Sequence, residues 1–319
     1  MRLDLLLMRT ARAGDVDGWL RVLDEYLEET EEIGLDHDQV REEIANYLMS
    51  KGDFEKALPY AETAAESWAG WAMRCAATCN EGLKRWERAE LWMRRISERY
   101  ENSAHDWLLW VVRTGHGERI AAAGRAEEWL KTVGTQQATS TGVLVKAALI
   151  HILAERYPQA VECLRRSFEL KPDPFEGHPL AVCADRLGDA GQRDAALQDV
   201  VSRSVHYRSS KTDRPRHDLI ALAEVLQKVL TAGHVGRQQL DELRETVRRA
   251  KESERPHMNY FAGCLLDRRG EKDVAIEFLR AAAHDQRQDA YSVILARDEL
   301  RRLGLTPNDI APRVKVVEP

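Results

Sequence analysis

The sequence predicts an all-α fold, an α-solenoid of about eight stacked antiparallel helix-turn-helix units followed by a C-terminal helix. Apolar residues recur at three- and four-residue spacing from end to end, and alternating strand patterns are nearly absent. Glycine followed by an acidic or polar residue punctuates the chain at Gly14-Asp15, Gly52-Asp53, Gly117-Glu118, Gly191-Gln192 and Gly270-Glu271, each between two helical stretches. Such short turns join antiparallel helices.

The 319 residues are 44% hydrophobic and 31% charged, which supplies a sizeable core and excludes a disordered chain. The apolar run Leu5–Met8, beside Asp4, is too short for a bilayer span or a secretory signal, so no membrane association is expected. Cys75, Cys79, Cys163, Cys183 and Cys264 are odd in number and scattered, so a disulfide framework is not expected and a reducing cytoplasm fits.

In chain order, a first helical pair is centred on Trp19, and an acidic run from Asp24 to Glu43 overlaps its end. After Gly52-Asp53 comes a frame: an aromatic residue, a small one three positions later, and an apolar one four further on. Phe54…Ala57…Ala61 sets it, and Trp86…Ala89…Met93 and Tyr157…Ala160…Leu164 repeat it. Arg193…Ala196…Val200 and Lys272…Ala275…Leu279 keep the frame without the aromatic, and Ala122 after Gly117 is a weaker instance. A degenerate pair around Leu240 fills the long gap, and a final helix is expected from Asp289 to Leu303.

Two segments break the rhythm. Residues 204–218 are basic and contain Pro215, which predicts an extended loop between an N-terminal subarray, 1–203, and a C-terminal one, 219–304. The tail, 305–319, contains Pro307 and Pro312 and is expected outside the core.

This frame resembles the tetratricopeptide repeat (TPR), a helical pair of about 34 residues with small residues where helices cross. Ala147-Ala148…Tyr157…Ala160…Pro172 and Ala262-Gly263…Gly270…Ala275 match it best. Trp110 stands where the family has Gly or Ala, and Trp19 and Leu240 occupy the small place of the second helix, so wider spacing or capping is expected there. The resemblance implies a concave surface built by the first helix of each pair, on which a protein segment binds. It places Asn46, Trp71, Arg74, Thr78, Trp107 and Val111 on that face in units two to four. TPR proteins that clamp a chaperone's terminal carboxylate use Lys, Asn and Arg there. Only Asn46 matches, with Glu42, Leu108 and Val145 at the places that should be basic, so that clamp is not expected.

The eight tryptophans, Trp19, Trp68, Trp71, Trp86, Trp92, Trp107, Trp110 and Trp129, all fall in the first 129 residues. Trp86 and Trp129 are expected in the core, whereas Trp71 and Trp107 are candidate anchors of a groove. Residues 1–100 carry 14 basic and 21 acidic side chains, and residues 201–319 carry 22 and 18, so the ends differ in sign. Self-association through oppositely charged ends follows as an option, and it would be salt-sensitive. A net charge of −6 argues against general nucleic-acid binding; Arg203, Arg208, Lys211, Arg214 and Arg216 form a secondary basic contact without interleaved aromatics.

No phosphate loop, dinucleotide fingerprint, nucleophile elbow or zincin motif is present, so neither catalysis nor a cofactor is expected. Cys75-x-x-x-Cys79 lacks a second ligand pair nearby, and no metal is expected. Cys163 or Cys183 with His151 or His178 is the remaining nucleophile candidate, and buried packing is the expected role of those residues. The function expected is a non-catalytic scaffold or regulatory subunit. The alternative is a ligand- or peptide-sensing module that switches a separately encoded enzyme.

Overall fold

The computed structural model describes residues 16–32, 34–133, 140–203, 214–232, 235–285 and 291–305. Those residues form sixteen α-helices and no strand, as the periodicity predicts. The first seven are α1 (Val16–Glu29), α2 (Asp36–Ser50), α3 (Phe54–Ala65), α4 (Gly70–Gly82), α5 (Trp86–Arg99), α6 (Asp106–Thr114) and α7 (Arg119–Thr132). There follow α8 (Thr141–Leu153), α9 (Tyr157–Leu170), α10 (Pro174–Arg186), α11 (Ala190–Arg203) and α12 (Arg214–Thr231). The last four are α13 (Arg237–Arg249), α14 (Arg255–Arg268), α15 (Lys272–Ala283) and α16 (Tyr291–Arg302). Two compact units divide the chain: one runs to Val111 and includes His116–Glu118, and the other holds Val112–Gly115 and everything from Arg119. Within each, neighbouring helices pack against each other.

One turn recurs. Gly52, Lys84, Glu155, Gly188 and Gly270 all have positive φ, and each stands two residues before the next helix begins. The amide of the following residue donates back across the turn: Asp53 to the Leu48 carbonyl, Arg85 to Asn80, Arg156 to His151, Asp189 to Ala184 and Glu271 to Leu266, at 2.7–3.1 Å. This is the six-to-one bond of a Schellman motif, which satisfies carbonyls that a helix end leaves open. The expected turn at Gly191 is corrected: Gly191 lies in the first turn of α11, and Gly188, at φ 77°, makes the reversal.

The small residues of the frame sit where helices cross. Ala57, Ala89, Ala122, Ala160 and Ala275 have no exposed surface, and Ala196 is nearly as buried. A methyl group added at Gly263 would lie 2.6 Å from Leu279 Cγ and 3.1 Å from the Ala275 carbonyl oxygen. The closeness of α14 to α15 therefore depends on the absence of that side chain.

The second unit departs from a simple row in which each helix touches only its sequence neighbours. There α10, α12 and α14 also meet one another, and α14 meets α16. Ten residues of α10 and ten of α14 are buried, so these two helices are central. Within the stretch expected as a loop, 204–218, residues 214–218 are instead helical, and Pro215 takes the second position of α12, where its missing N–H has no intrahelical partner to lose. Residues 204–213 and most of the expected tail, 306–319, lie outside the described residues.

Candidate functional site

The six side chains expected on one binding face separate into two groups. Asn46 on α2 and Arg74 and Thr78 on α4 are exposed, Trp71 is half-buried, and α2 and α4 pack together. The Cys75 thiol points to Asn46 Oδ1 at 3.7 Å, Thr78 Oγ1 donates to the Arg74 carbonyl, and Arg74 Nη2 meets Asp106 at 2.8 Å. These exposed or half-buried residues lie on one pair of packed helices.

Trp107 and Val111 do not belong to it, and their expected role as groove residues is corrected: they are 4% exposed each. Leu108, Trp110 and Val112 are buried with them, so this nine-residue helix is apolar around most of its circumference. The indole N–H of Trp107 donates to Glu90 Oε1 at 3.0 Å and that of Trp110 to Glu81 Oε2 at 3.1 Å. Both tryptophans thus find the partner that a buried indole requires.

A cleft opens in the first unit beside Arg74. It has a volume of about 820 Å³ and is lined by Trp68, Trp71, Tyr100, Arg74, Arg99 and Leu35 among others. Local chain geometry builds it. Trp68 follows α3 with φ 62°, a conformation bulky residues rarely adopt, and Ala69 then runs extended into α4. The reversal leaves the indole 43% exposed. Tyr100 leaves α5 in extended conformation; its hydroxyl donates to the Trp68 carbonyl at 2.8 Å and accepts the Gly70 N–H at 3.1 Å.

Arginines and aromatic rings alternate along α5 towards the cleft. The Arg88 and Arg95 guanidinium carbons stand 5.3 and 4.8 Å from the Trp92 ring, and those of Arg95 and Arg99 stand 5.2 and 5.8 Å from the Trp68 ring. Arg99 also lies 5.9 Å from Tyr100. Arg88 is paired with Glu62 at 2.9 Å. Among the described residues, no carboxylate is within ion-pair distance of Arg95 or Arg99. The cleft thus presents exposed aromatic surface beside the Arg74 and Arg99 guanidiniums, with Glu101 also in its lining, and Arg95 stands over the Trp68 ring; the arrangement suits an apolar side chain with a neighbouring carboxylate. Trp68, Arg95, Arg99 and Tyr100 were missed by the sequence reasoning. The only signal was the spacing Arg95…Arg99-Tyr100 at the end of one helix, which does not reveal that Trp68 lies beneath it.

Of the secondary basic set, Arg208 and Lys211 lie outside the described residues, and Arg214 opens α12. Arg203 is at the end of α11, over the Phe168 ring at 5.3 Å. Arg216 is not an outward contact: Nη2 meets Asp173 at 2.7 Å while the guanidinium sits over Phe175. Asp173 also caps α10 by accepting from the Phe175 amide, so Arg216 ties α12 to the start of α10.

All five cysteines are free and buried. Burial pushes the Cys75 and Cys183 thiols up to about 12 and Cys79 to about 11, and it raises Cys163 and Cys264 as well, so at neutral pH they are protonated. His178, wholly buried with Nδ1 2.9 Å from the Pro174 carbonyl oxygen, is pushed down to about 4 by desolvation. Burial also lowers His151. Among the described residues no group of three His, Cys, Asp or Glu side chains is arranged to hold a metal ion, and no helix is long and apolar enough to cross a membrane. No protein-family model matches the sequence, and comparison with curated proteins finds no relative.

Proposed function

We propose that the chain is a TPR-type solenoid of antiparallel helical pairs that acts without catalysis, as a scaffold or regulatory subunit binding a protein segment. The observation that carries the reading is the cleft at Trp68, Trp71 and Tyr100, with Arg95 and Arg99 held over aromatic faces and, among the described residues, no carboxylate within ion-pair distance of either. A segment with an apolar or aromatic side chain next to an acidic one would bury the first against Trp68 and pair the second with Arg99. The recurring turns and buried alanines support the repeat, and five free thiols fit a reducing compartment such as the cytoplasm. The alternative, a sensing module that switches a separately encoded enzyme, draws support from the ionic closure of the second unit by α16.

The test is affinity capture from the native cell with the parent chain, followed by binding measurements on what co-purifies. Trp68→Ala and Arg99→Glu are each expected to weaken binding roughly thirtyfold, the scale of a hot-spot anchor, while Arg237→Ala leaves it unchanged. A captured protein that binds both cleft variants as tightly as the parent would sink the reading.

A further inference from the structure

The last helix carries one apolar and one ionic side. Val293, Ile294, Ala296 and Leu300 are at most 1% exposed, and α16 packs on α14 and α15. Its ionic side reaches residues far back in the chain, all within the second unit. Asp298 receives Arg119 through both guanidinium nitrogens at 3.1 and 3.2 Å, and Glu299 pairs with Arg186. Arg301 donates to the carbonyls of Val112 and Arg113 at 2.7 and 2.5 Å, and Arg302 to Tyr157 Oη at 2.8 Å. Arg119 also donates to the Leu153 carbonyl at 2.8 Å. The groups that meet α16 therefore come from the end of α6, the start of α7, the α8–α9 turn and the end of α10.

Two features distinguish this contact from ordinary core. Asp298 and Glu299 are 6% and 7% exposed, and a buried ion pair holds a helix no better than apolar residues of similar size would; what it adds is selectivity for register and partner. Arg119 and the two carboxylates of α16 also keep a counter-charge on their own side. Within α16, Arg302 lies 3.0 Å from Asp298 and 3.2 Å from Glu299; on the opposing side Arg119 lies 3.2 Å from Glu155. When the two sides part, those pairs persist, and the stranded charge is confined to Arg186, whose ion pair is with Glu299.

We propose that Arg119, Glu155, Tyr157, Arg186 and the carboxyl end of α6 form a receptor for a short helix with two adjacent carboxylates and an arginine three to four residues further on. The chain's own α16 is its resident occupant, and a partner protein's helix of the same chemistry exchanges with it. This site is independent of the cleft in the first unit. Exchange lowers the apparent affinity of any incoming helix by the fraction of time α16 is absent, so weakening the resident strengthens the visitor.

The probe is a fluorescein-labelled peptide of residues 289–305, read by anisotropy on the full chain. The Asp298→Asn/Glu299→Gln variant is expected to bind it at least about tenfold more tightly than the parent. Adding Arg186→Glu, or replacing both peptide acids by lysine, is expected to remove the gain. In the parent, α16 amides should exchange hydrogen at least about a hundredfold faster than those of α14. The proposal is overturned if the double variant folds but does not bind, or binds both peptides alike. It is equally overturned if the double variant loses its cooperative unfolding transition, or if α16 and α14 are protected alike in the parent, because α16 is then a fixed part of the core.

Discussion

Tyr100 Oη donates to the Trp68 carbonyl at 2.8 Å across 32 positions of sequence, and this bond fixes the turn that exposes the Trp68 indole. The same oxygen accepts the Gly70 N–H, so one phenol satisfies two backbone groups between α3 and α4. Tyr100→Phe removes both partners while keeping the ring. The expected cost is about 1 kcal/mol per lost bond or less, since water reaches this turn. Denaturant midpoints measure it, and a shift in tryptophan emission should accompany it; an unchanged midpoint would show that the phenol does not hold the turn.

The recurring left-handed turn gives a second expectation. Lys84 stands at φ 58°, where Gly52, Gly188 and Gly270 stand in equivalent turns, and its side chain is exposed. A non-glycine residue there costs about 1–2 kcal/mol, offset in part by the greater chain entropy of unfolded glycine. Lys84→Gly is therefore expected to stabilise by roughly 0.5–1 kcal/mol, read from the urea midpoint at unchanged slope. Glu155→Gly at φ 61° should gain less, because it also removes ion pairs to Arg119 and Arg302.

What the sequence discloses divides along the same lines. Ala57, Ala89, Ala160 and Ala275 are legible because a helical period and a close crossing are local features, and all four are fully buried. The turns at Lys84 and Glu155 are not, since neither residue announces positive φ. Trp68 and Trp107 look alike as aromatic residues near helix ends, and only the packing of neighbouring helices exposes the first and encloses the second. The α16 contact was unreadable for another reason. A repeat pattern predicts contacts between successive units, whereas Arg119 and Asp298 meet across 179 positions.

His178 sets a pH dependence. Its imidazole is buried and neutral, pushed down to about 4 from an ordinary 6.5, with its ring stacked 5.2 Å from Phe261. Between those values the unfolded chain binds a proton that the native residue refuses. The contribution is complete above about 6.5, is lost as pH falls towards 4, and is on the order of 3 kcal/mol in all. In His178→Phe, which keeps an aromatic ring beside Phe261, the decline in stability over that window should be shallower by up to one proton. Equal slopes in parent and variant would mean that another group carries the acid sensitivity.

Trp107, which the sequence put on the binding face, and Trp68, which it did not, supply the sharpest contrast. Trp107 is enclosed and hydrogen-bonded, and Trp107→Ala leaves a cavity that the short α6 cannot fill, at an expected cost of about 3–5 kcal/mol. It also takes one of two donors from Glu90 Oε1, whose other donor is the Glu118 amide at 2.7 Å, so the start of the next helix should loosen with it. Trp68→Ala removes a half-exposed ring and relieves no buried partner, and the expected cost is below about 1 kcal/mol. Thermal melts and helix content measured side by side decide the matter. A Trp107→Ala chain as stable as the parent would return that residue to the binding face, and a Trp68→Ala chain that fails to fold would make the cleft part of the core.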